Sequence, residues 1–552
     1  MPKMTGARCI AETIKGYGVT HVFFVPAILR TALIEMDKLK INRILTHSEK
    51  AAAYMADGYA RVSHRPGVCM AQSVGAANLA AGLQDAYLGL SPVIAITGHR
   101  PPMHKYRHSY QEIEHAHLFE VVTKFSDVVD TVEQLPLLLR QAFREATSGA
   151  PAPVHLDLRG ITGDDIMNSK ADLEVIVEER FGNYPAFRPE PEPEWVREAA
   201  RALERAEKPV IVAGGGVTAS GAQKEVVALA ERLSIPVATS LNAKGIIPED
   251  HPLSIGVVGS YSRWCANRVV SEADLVLFIG SHTGSQVTMD WRIPRAGTPV
   301  IQIDIQPEEL GRNYPAKVVL LGDARVTLQR LIEVVEPVKR ISTWLKMVRQ
   351  LVDEWRSEVE PVLNSDAIPI RPERICKELT DFLPSDAIMV SCTGHSGIWT
   401  GSMIDLKQPG QSYIRAAGSL GWGFPAALGA KCAAPERPVI CFTGDGGLWY
   451  HIAELETACR YGINTVTVVN NNHSLNQDGM GYEGKPGTDI LWQFSDNIDL
   501  AKIAQDMGCF VVQVRRPGEL GIALNKAIAS GKPALVDVIS DVQGMAPAPW
   551  VE

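Results

Sequence analysis

The sequence lacks both a long apolar run and an excess of positive charge. Lys and Arg number 54 against 63 Asp and Glu, which gives a net charge of −9, and no basic cluster interrupts this balance. We therefore expect no nucleic-acid partner. No apolar stretch approaches the roughly 20 residues of a membrane-spanning helix, and the first 19 residues lack the apolar segment of a signal peptide. These absences predict a cytoplasmic protein with no membrane partner.

The sequence also lacks paired cysteines. Its nine cysteines include no Cys-x-x-Cys pair and no spacing typical of a metal site. This pattern is typical of reduced thiols in a cytosol and excludes a disulfide framework as the basis of the fold. With 552 residues, 46% of them hydrophobic, the chain is long enough for about three domains, each with its own core.

Two stretches that contain several prolines divide the chain into three parts of similar size. They lie at 184–193 and 364–372, where neither a regular helix nor a central strand can continue. Within each part, short apolar segments alternate with segments of helical periodicity, a pattern typical of α/β domains. We predict three doubly wound domains with parallel sheets, spanning 1–185, 190–345 and 365–552.

The residues that indicate chemistry are concentrated in the third part. An apolar segment at 439–442 predicts a buried strand that ends in the turn Gly-Asp-Gly-Gly at 444–447. The glycines permit close approach of the backbone to a ligand, and free N–H groups at the following helix start suit a diphosphate. A second apolar strand ends in the asparagine triplet 470–472. Because parallel strands end at one edge of the sheet, Asp445 and Asn471 can share one Mg²⁺ there.

Each of these patterns also has a purely structural explanation. Glycine-rich turns often connect a strand to a helix without any ligand. In the first part, Ser48 is a predicted helix N-cap and Glu49 falls in the first turn, where the helix dipole favours a carboxylate. That position alone is a sufficient reason for an acid. The small residues of this helix predict close packing against a neighbour: Ala51, Ala52, Ala53 and Ala56.

The combination of patterns resembles the thiamin diphosphate enzymes of the acetolactate synthase-like branch. Their signature is Gly-Asp-Gly followed, after one helix and one strand, by Asn-Asn, and the spacing here is similar. The outer two domains are therefore expected to bind thiamin diphosphate. Further matching segments occur in both outer parts, at 47–61, 72–79, 85–92, 110–112, 393–396 and 418–425.

The resemblance implies specific roles for these residues. Glu49 would hydrogen-bond N1′ of the cofactor's aminopyrimidine ring and so promote loss of the thiazolium C2 proton. The Gly418 carbonyl would accept a hydrogen bond from N4′, and Leu420 would wedge between the two rings. The remaining expected contacts to the cofactor and to its Mg²⁺ are Asn78, Gly394, His395, Ser396, Asp445, Gly446, Gly447, Asn471 and the main-chain carbonyl of His473.

Departures from the related enzymes leave the substrate class open. Segment 25–28 lacks the acid of the pyruvate decarboxylase-like enzymes, and a histidine used by benzoylformate decarboxylases corresponds to Ala71. Release of a free aldehyde is therefore not expected. The Met-Val-x-Gln-Trp type segment of acetolactate synthases is absent at 473–477, and the segments 456–461 and 468–472 look as much like those of 2-hydroxyacyl-CoA lyases and oxalyl-CoA decarboxylases. Gln111 is the best polar candidate near the substrate, although a surface or structural glutamine explains it equally well.

We expect an enzyme that makes or breaks a C–C bond next to a carbonyl through an acyl-anion intermediate, as in acetolactate synthase-like joining of 2-keto acids. The first alternative is a lyase or decarboxylase that acts on acyl-CoA thioesters such as 2-hydroxyacyl-CoA or oxalyl-CoA. The second is a non-catalytic regulatory relative, which the joint presence of Glu49, Asp445 and Asn471 argues against.

Two further expectations concern the middle domain and the assembly. The run 210–216 could hold a nucleotide, but Asp304 lies much farther along the chain than the ~20 residues typical of a Rossmann motif. Relatives hold FAD or ADP in this domain or leave it empty. They also assemble as homodimers or homotetramers with the cofactor between two chains, which implies that Glu49 of one chain serves the cofactor anchored by Asp445 of the other.

Overall fold

The computed structural model describes residues 3–26, 29–160, 163–338, 343–477, 485 and 487–550. Ala27 and Ile28, which belong to the segment compared above with decarboxylases, lie outside these residues. Three six-stranded sheets organise the described chain, and every strand pair within them is parallel. The predicted α/β class with three doubly wound domains is therefore confirmed. Among the helices of these ranges, none has both the length and the apolar character needed to cross a lipid bilayer.

The amino-terminal sheet has the order β3-β2-β4-β5-β7-β6, and a short antiparallel ribbon pairs β1 with β8. Helices cover both faces of the sheet, and its apolar strands form the centre of the domain. The strands are β1 Lys3–Thr5, β2 His21–Phe24, β3 Asn42–Leu45, β4 Gly67–Gln72, β5 Val93–His99, β6 Phe125–Val129, β7 Val154–Arg159 and β8 Lys170–Asp172. The helices are α1 Gly6–Gly16, α2 Arg30–Lys38, α3 Glu49–Ser63, α4 Ser73–Leu88, α5 Ala116–Glu120, α6 Leu135–Thr147 and α7 Asp164–Asn168.

The central sheet has the order β11-β10-β9-β12-β13-β14. Its inner strands are almost wholly buried and rich in Val and Ile, as expected for a parallel sheet covered on both faces. The strands are β9 Pro209–Ala213, β10 Val237–Thr239, β11 Ser254–Val257, β12 Leu275–Ile279, β13 Val300–Asp304 and β14 Ala316–Leu321. The helices are α8 Pro193–Arg205, α9 Gly215–Ser220, α10 Gln223–Leu233, α11 Trp264–Ser271, α12 Ser285–Thr288 and α13 Ala324–Val334.

A long helix, α14 Thr343–Leu363, leads to the carboxyl-terminal domain. That domain's sheet has the order β16-β15-β17-β18-β20-β19. The strands are β15 Ile388–Ser391, β16 Ser412–Arg415, β17 Val439–Gly444, β18 Val466–Asn471, β19 Phe510–Val514 and β20 Ala534–Ile539. The helices are α15 Pro372–Phe382, α16 His395–Ser402, α17 Gly423–Ala433, α18 Asp445–Trp449, α19 Glu454–Tyr461, α20 Leu500–Asp506 and α21 Leu520–Ala529.

The two outer domains pack directly against each other through α3 and α17. A Cβ atom added to Gly58 would overlap the Ala426 carbonyl, and one added to Gly429 would overlap the Met55 carbonyl. Both glycines are therefore required for the helices to approach so closely. Buried side chains on both sides, Tyr54 among them, form one continuous apolar core. This confirms the close packing that the alanines of α3 predicted.

Candidate functional site

Three parallel strands of the carboxyl-terminal sheet, β15, β17 and β18, end at one edge, and the predicted cofactor residues of this domain lie there. Gly394, with φ 66°, turns the chain into α16. The next residue, His395, lies with Nδ1 2.7 Å from Oδ1 of Asn476. A Cβ atom on Gly394 would lie 2.7 Å from Oε1 of Gln477, and one on Gly444 would lie 3.9 Å from the Ser396 hydroxyl. The edge is therefore a narrow cradle made largely of backbone.

Asp445 lies at the base of this cradle and is 2% exposed. Neither of its carboxylate oxygens has a hydrogen-bond partner. Burial raises the pKa of Asp445 to about 7, although nearby backbone N–H groups, including those of Gly446 and Asn472, oppose this rise. A buried carboxylate whose two oxygens lack a hydrogen-bond partner suits a divalent metal ion.

The neighbouring strand presents a second oxygen. Nδ2 of Asn471 donates to Oδ1 of Asp537 at 2.8 Å, and because a carboxylate only accepts, this bond identifies the amide nitrogen. The side-chain oxygen Oδ1 of Asn471 therefore points away from Asp537. It accepts a longer bond of 3.3 Å from the His473 N–H. His473 itself has a left-handed φ of 54°, so the chain reverses here beside Asp445. This donor set fits Mg²⁺.

The remaining predicted contacts of this domain surround the same turn. A Cβ atom on Gly447 would lie 2.6 Å from Oγ1 of Thr443 and 3.7 Å from Cδ1 of Leu420, so only glycine fits there. Gly418 lies on the loop before Leu420, is exposed, and has no atom near the position of a Cβ. The structure thus brings the predicted diphosphate, metal and ring contacts of this domain to one place.

Glu49 lies in the amino-terminal domain. Ser48 caps α3 as predicted, since its hydroxyl accepts a 3.1 Å bond from the Ala51 N–H. The half-exposed Glu49 side chain accepts a 3.1 Å bond from Nδ2 of Asn78. A Cβ atom on Gly75 would approach the Glu49 carboxylate to 2.5 Å, so the two helices are close at this point. Asn78, which was predicted to contact the cofactor, is therefore hydrogen-bonded to Glu49.

Gln111 has a left-handed φ of 61° and is held by its neighbours rather than free in solvent. Its Oε1 accepts a 3.3 Å bond from Nε2 of Gln72, and its carbonyl accepts a 2.5 Å bond from the Ser73 hydroxyl. The Ser73 carbonyl in turn lies 3.1 Å from Nε2 of His115, whose Nδ1 lies 3.1 Å from the buried Asp157. The segment is thus fixed from behind by a buried histidine–carboxylate pair.

The predicted residues therefore form two groups, on separate domains. Among the residues that the structure describes, no hydrogen bond or ion pair joins Glu49 to the turn that carries Asp445. The sequence reasoning missed Asp537, the support of Asn471. The signal that could have identified Asp537 is its position as a single acid within the apolar strand β20. A fully buried carboxylate there requires a polar partner.

A third feature is a cavity of about 480 Å³ at the junction of all three domains. It is lined by Gly214–Gly216 and Asp304 from the central domain, by Arg61 from the amino-terminal domain and by Arg415 from the carboxyl-terminal domain. Asp304 lines this cavity while its Oδ1 accepts a 3.0 Å bond from the Gln306 N–H. Its size is within the range of small-molecule sites.

Comparison with known proteins agrees with this arrangement. Three family models match: the thiamine pyrophosphate enzyme N-terminal TPP binding domain at 4–118, the central domain at 196–331 and the C-terminal TPP binding domain at 393–538. A probable acetolactate synthase large subunit of Methanocaldococcus jannaschii is 35% identical over 98% of this chain and 92% of its own length. The acetolactate synthase large subunit of Corynebacterium glutamicum is 30% identical over 97% of this chain and 87% of its own.

The chain belongs to the family of thiamine pyrophosphate (thiamin diphosphate) enzymes. Within that family it is an acetolactate synthase-like enzyme, since the similarity to these large subunits extends over nearly its whole length. The predicted branch is therefore confirmed.

Proposed function

We propose that this enzyme joins 2-keto acids in an acetolactate synthase-like carboligation that depends on thiamin diphosphate and Mg²⁺. The observation that carries the proposal is the buried Asp445 carboxylate, whose two oxygens lack hydrogen-bond partners. On the neighbouring strand, the side-chain oxygen of Asn471 is turned away from Asp537. The names of the similar proteins supply the reaction class.

The residues at the sheet edge would hold the cofactor's diphosphate through the metal. Asp445 and Asn471 would each give one oxygen to Mg²⁺, and the main-chain carbonyl of His473 would give a third. Phosphate oxygens and water would complete the octahedron. The backbone N–H groups of Gly446 and Gly447 begin α18 and suit an anion, as helix starts do. The partial desolvation of this edge strengthens each of these interactions.

Glu49 would hold a proton at the far end of the cofactor. When bound, thiamin diphosphate supplies a stabilised acyl-anion equivalent, which allows a C–C bond next to a carbonyl to be made or broken. Glu49 would share a proton with N1′ of the aminopyrimidine, and Asn78 orients the carboxylate through its 3.1 Å bond. Gln111, fixed by Gln72 and Ser73, would orient the 2-keto acid through its side-chain amide.

The separation of Glu49 from Asp445 supports a site built from two chains. A two-fold dimer creates two equivalent sites from one pair of surfaces, because each contact is made twice. Large apolar side chains are exposed in the segment that contains Gln111, where they would be buried by a partner: Met103 is 73% exposed, Tyr106 89% and Tyr110 77%. We therefore propose a homodimer or a dimer of dimers, with Glu49 serving the partner's cofactor.

The cavity at the domain junction supports a second ligand, a nucleotide such as FAD or ADP. Its wall includes the glycines at 214–216, which follow β9, and the guanidinium of Arg415, which suits a phosphate. The neighbouring Asn242 and Gln286 hold that guanidinium, through bonds of 2.9 and 2.5 Å. Release of a nucleotide on denaturation of the purified protein, detected by absorbance and mass spectrometry, tests this part of the proposal.

The reaction itself is tested with the full-length protein supplied with thiamin diphosphate and Mg²⁺. We expect pairs of 2-keto acids to yield a 2-hydroxy-3-keto acid with release of CO₂, measured by chromatography and mass spectrometry. A second set of assays offers the CoA thioesters 2-hydroxyacyl-CoA and oxalyl-CoA as substrates. Turnover of the thioesters alone would contradict the proposal and assign the enzyme to the lyases. The matched control is Asp445→Ala, which is expected to abolish turnover in either set of assays.

A further inference from the structure

A buried carboxylate of the amino-terminal domain holds a loop of the carboxyl-terminal domain in the same chain. Asp85, near the end of α4, is 0% exposed. It accepts three hydrogen bonds from consecutive backbone N–H groups, those of Ala417 at 2.9 Å, Gly418 at 3.2 Å and Ser419 at 2.9 Å. Such a set of parallel amides around one anion fixes the path of a loop that has no regular secondary structure of its own.

The carboxylate is itself held in place. Arg61 donates to Asp85 at 3.3 Å, makes two bonds of 2.7 Å with Asp57, and donates to the Arg415 carbonyl at 2.7 Å. The indole of Trp422 donates to Asp57 at 2.8 Å. Burial raises the pKa of Asp85, and Arg61 and the loop N–H groups oppose this rise because they donate to its carboxylate oxygens. Asp85 is thus a fixed anion between the two domains.

These bonds determine the direction of one carbonyl. The peptide unit that joins Gly418 to Ser419 is trans, so its C=O and N–H point in opposite directions. Because the Ser419 N–H points at Asp85, the Gly418 carbonyl points away from it. Gly418 is exposed, and the side chain that follows the loop, Leu420, lies against the cradle at Gly447. The carbonyl therefore lies on the side of the loop opposite Asp85, on an exposed residue two positions before Leu420.

We propose that Asp85 is a positioning residue that aims the Gly418 carbonyl at the 4′-amino group of thiamin diphosphate bound in its own chain. The inference rests on the cofactor site proposed above. It gives each amino-terminal domain two tasks, one in its own chain through Asp85 and one in the partner through Glu49. Asp85 contacts neither cofactor nor substrate, so it acts only through the loop.

A competing explanation is that Asp85 simply joins two domains. A matched control exists for this role. Glu249 is also buried, also accepts a backbone N–H from the carboxyl-terminal domain, that of Leu406 at 2.8 Å, and pairs with Lys244 at 2.7 Å. It has no hydrogen bond to the loop at 417–419 among the described residues. Glu249→Gln therefore changes a buried link between domains without changing the aim of the carbonyl.

The test is a binding ratio measured by calorimetry in the presence of Mg²⁺, with thiamin diphosphate and its 4′-desamino analogue as ligands. The wild-type chain is expected to bind thiamin diphosphate about fivefold more tightly than the analogue, the value of one hydrogen bond. In Asp85→Asn one side-chain oxygen becomes an NH₂ group that faces backbone N–H groups, so the loop loses part of its anchor. We expect its ratio to fall to about one, with faster amide exchange at 417–419.

An unchanged ratio in Asp85→Asn, or an equal fall in Glu249→Gln, would overturn the proposal. If Asp85→Asn does not fold, Arg61→Lys is the second variant, because it removes the guanidinium that bridges Asp57 and Asp85. It is expected to lower the binding ratio less strongly, and an unchanged ratio in this variant would also overturn the proposal. The ratio requires no turnover. A wild-type enzyme that discriminates the two ligands but does not join 2-keto acids would therefore refute the proposed reaction alone.

Discussion

Asp537 holds the side-chain amide nitrogen of Asn471 by a hydrogen bond of 2.8 Å, and this bond turns the side-chain oxygen of Asn471 away from Asp537 and toward the His473 N–H. Supports of this kind orient metal ligands, and their loss typically costs 10–100-fold in metal affinity. In Asp537→Leu the amide of Asn471 can rotate, because no acceptor holds its nitrogen. We expect the apparent Mg²⁺ affinity to fall by at least about tenfold, measured by titration of cofactor binding with Mg²⁺.

The second oxygen of Asp537 provides the control. It accepts a 3.0 Å bond from Nε2 of Gln513, which is not a candidate ligand. Gln513→Leu removes that bond and leaves Asn471 tied to Asp537, so its Mg²⁺ affinity should stay near the wild-type value. Equal losses in both variants would show that the strand, and not the orientation of Asn471, determines metal binding.

Asp445 makes the metal-free protein sensitive to pH. Its pKa is raised from 3.8 to about 7 by burial, so between these values the native state keeps a proton that the unfolded state has lost. The stability that this group contributes is therefore complete below pH 4 and is lost as the pH rises toward 7. At 1.36 kcal/mol per pKa unit the loss reaches about 4 kcal/mol.

Asp445→Asn removes this charge, so the metal-free variant should be more stable than the metal-free wild type at pH 8 and about equal to it at pH 4. Chemical denaturation at both values measures the difference. Mg²⁺ with thiamin diphosphate should stabilise the wild type at pH 8 and leave the variant unchanged, because metal binding requires the carboxylate. A metal-free variant that is less stable than the metal-free wild type at pH 8 would contradict the conclusion that burial makes the Asp445 charge unfavourable.

Ser48 is expected to serve both stability and catalysis. Its hydroxyl accepts the Ala51 N–H at the start of α3, where Glu49 is the first helical residue. Ser48→Ala should lower the free energy of unfolding by about 1 kcal/mol and also lower kcat, since the first turn that carries Glu49 becomes less ordered. Thermal denaturation and steady-state kinetics measure the two effects.

Thr5 caps α1 in the same way, with its hydroxyl 3.3 Å from the Arg8 N–H, and α1 carries none of the candidate site residues. Thr5→Ala should therefore cost a similar free energy of unfolding and leave kcat unchanged. A kcat that falls equally in both variants would mean that any loss of stability slows the enzyme, with no particular role for the cap beside Glu49.

Local patterns were sufficient to predict part of this site. Ser48 as a cap, the strand at 439–442 and the turn after it depend on neighbours within a few residues, and the structure confirms them, with the strand extending to Gly444. The contacts of Asp85 and Asp537 were not predicted, because their partners lie 332 and 66 residues away in sequence. Nothing in local periodicity specifies which buried acid meets which amide. Tertiary packing determines such pairs: Asp85 meets its loop because α3 and α17 bring the outer domains together, and Asp537 meets Asn471 because β18 pairs with β20.

The shared site makes a prediction about mixed chains. Glu49→Gln should abolish turnover in a homodimer while thiamin diphosphate remains bound, because the diphosphate and metal contacts lie in the other domain. Asp445→Ala should abolish cofactor retention, because Mg²⁺ loses its only charged candidate ligand. Each variant alone is therefore expected to be inactive, for different reasons, which equilibrium dialysis with labelled cofactor distinguishes.

When the two inactive proteins are mixed and allowed to exchange subunits, a heterodimer contains one site with both changes and one site with neither. Its activity should return to about half that of the wild-type dimer if the two sites act independently. Native mass spectrometry measures the fraction of heterodimer, and steady-state kinetics measures the recovered rate. If Glu49 instead served the cofactor of its own chain, each heterodimer site would carry one lesion and no activity would return. Confirmed exchange without recovery would therefore refute the two-chain site.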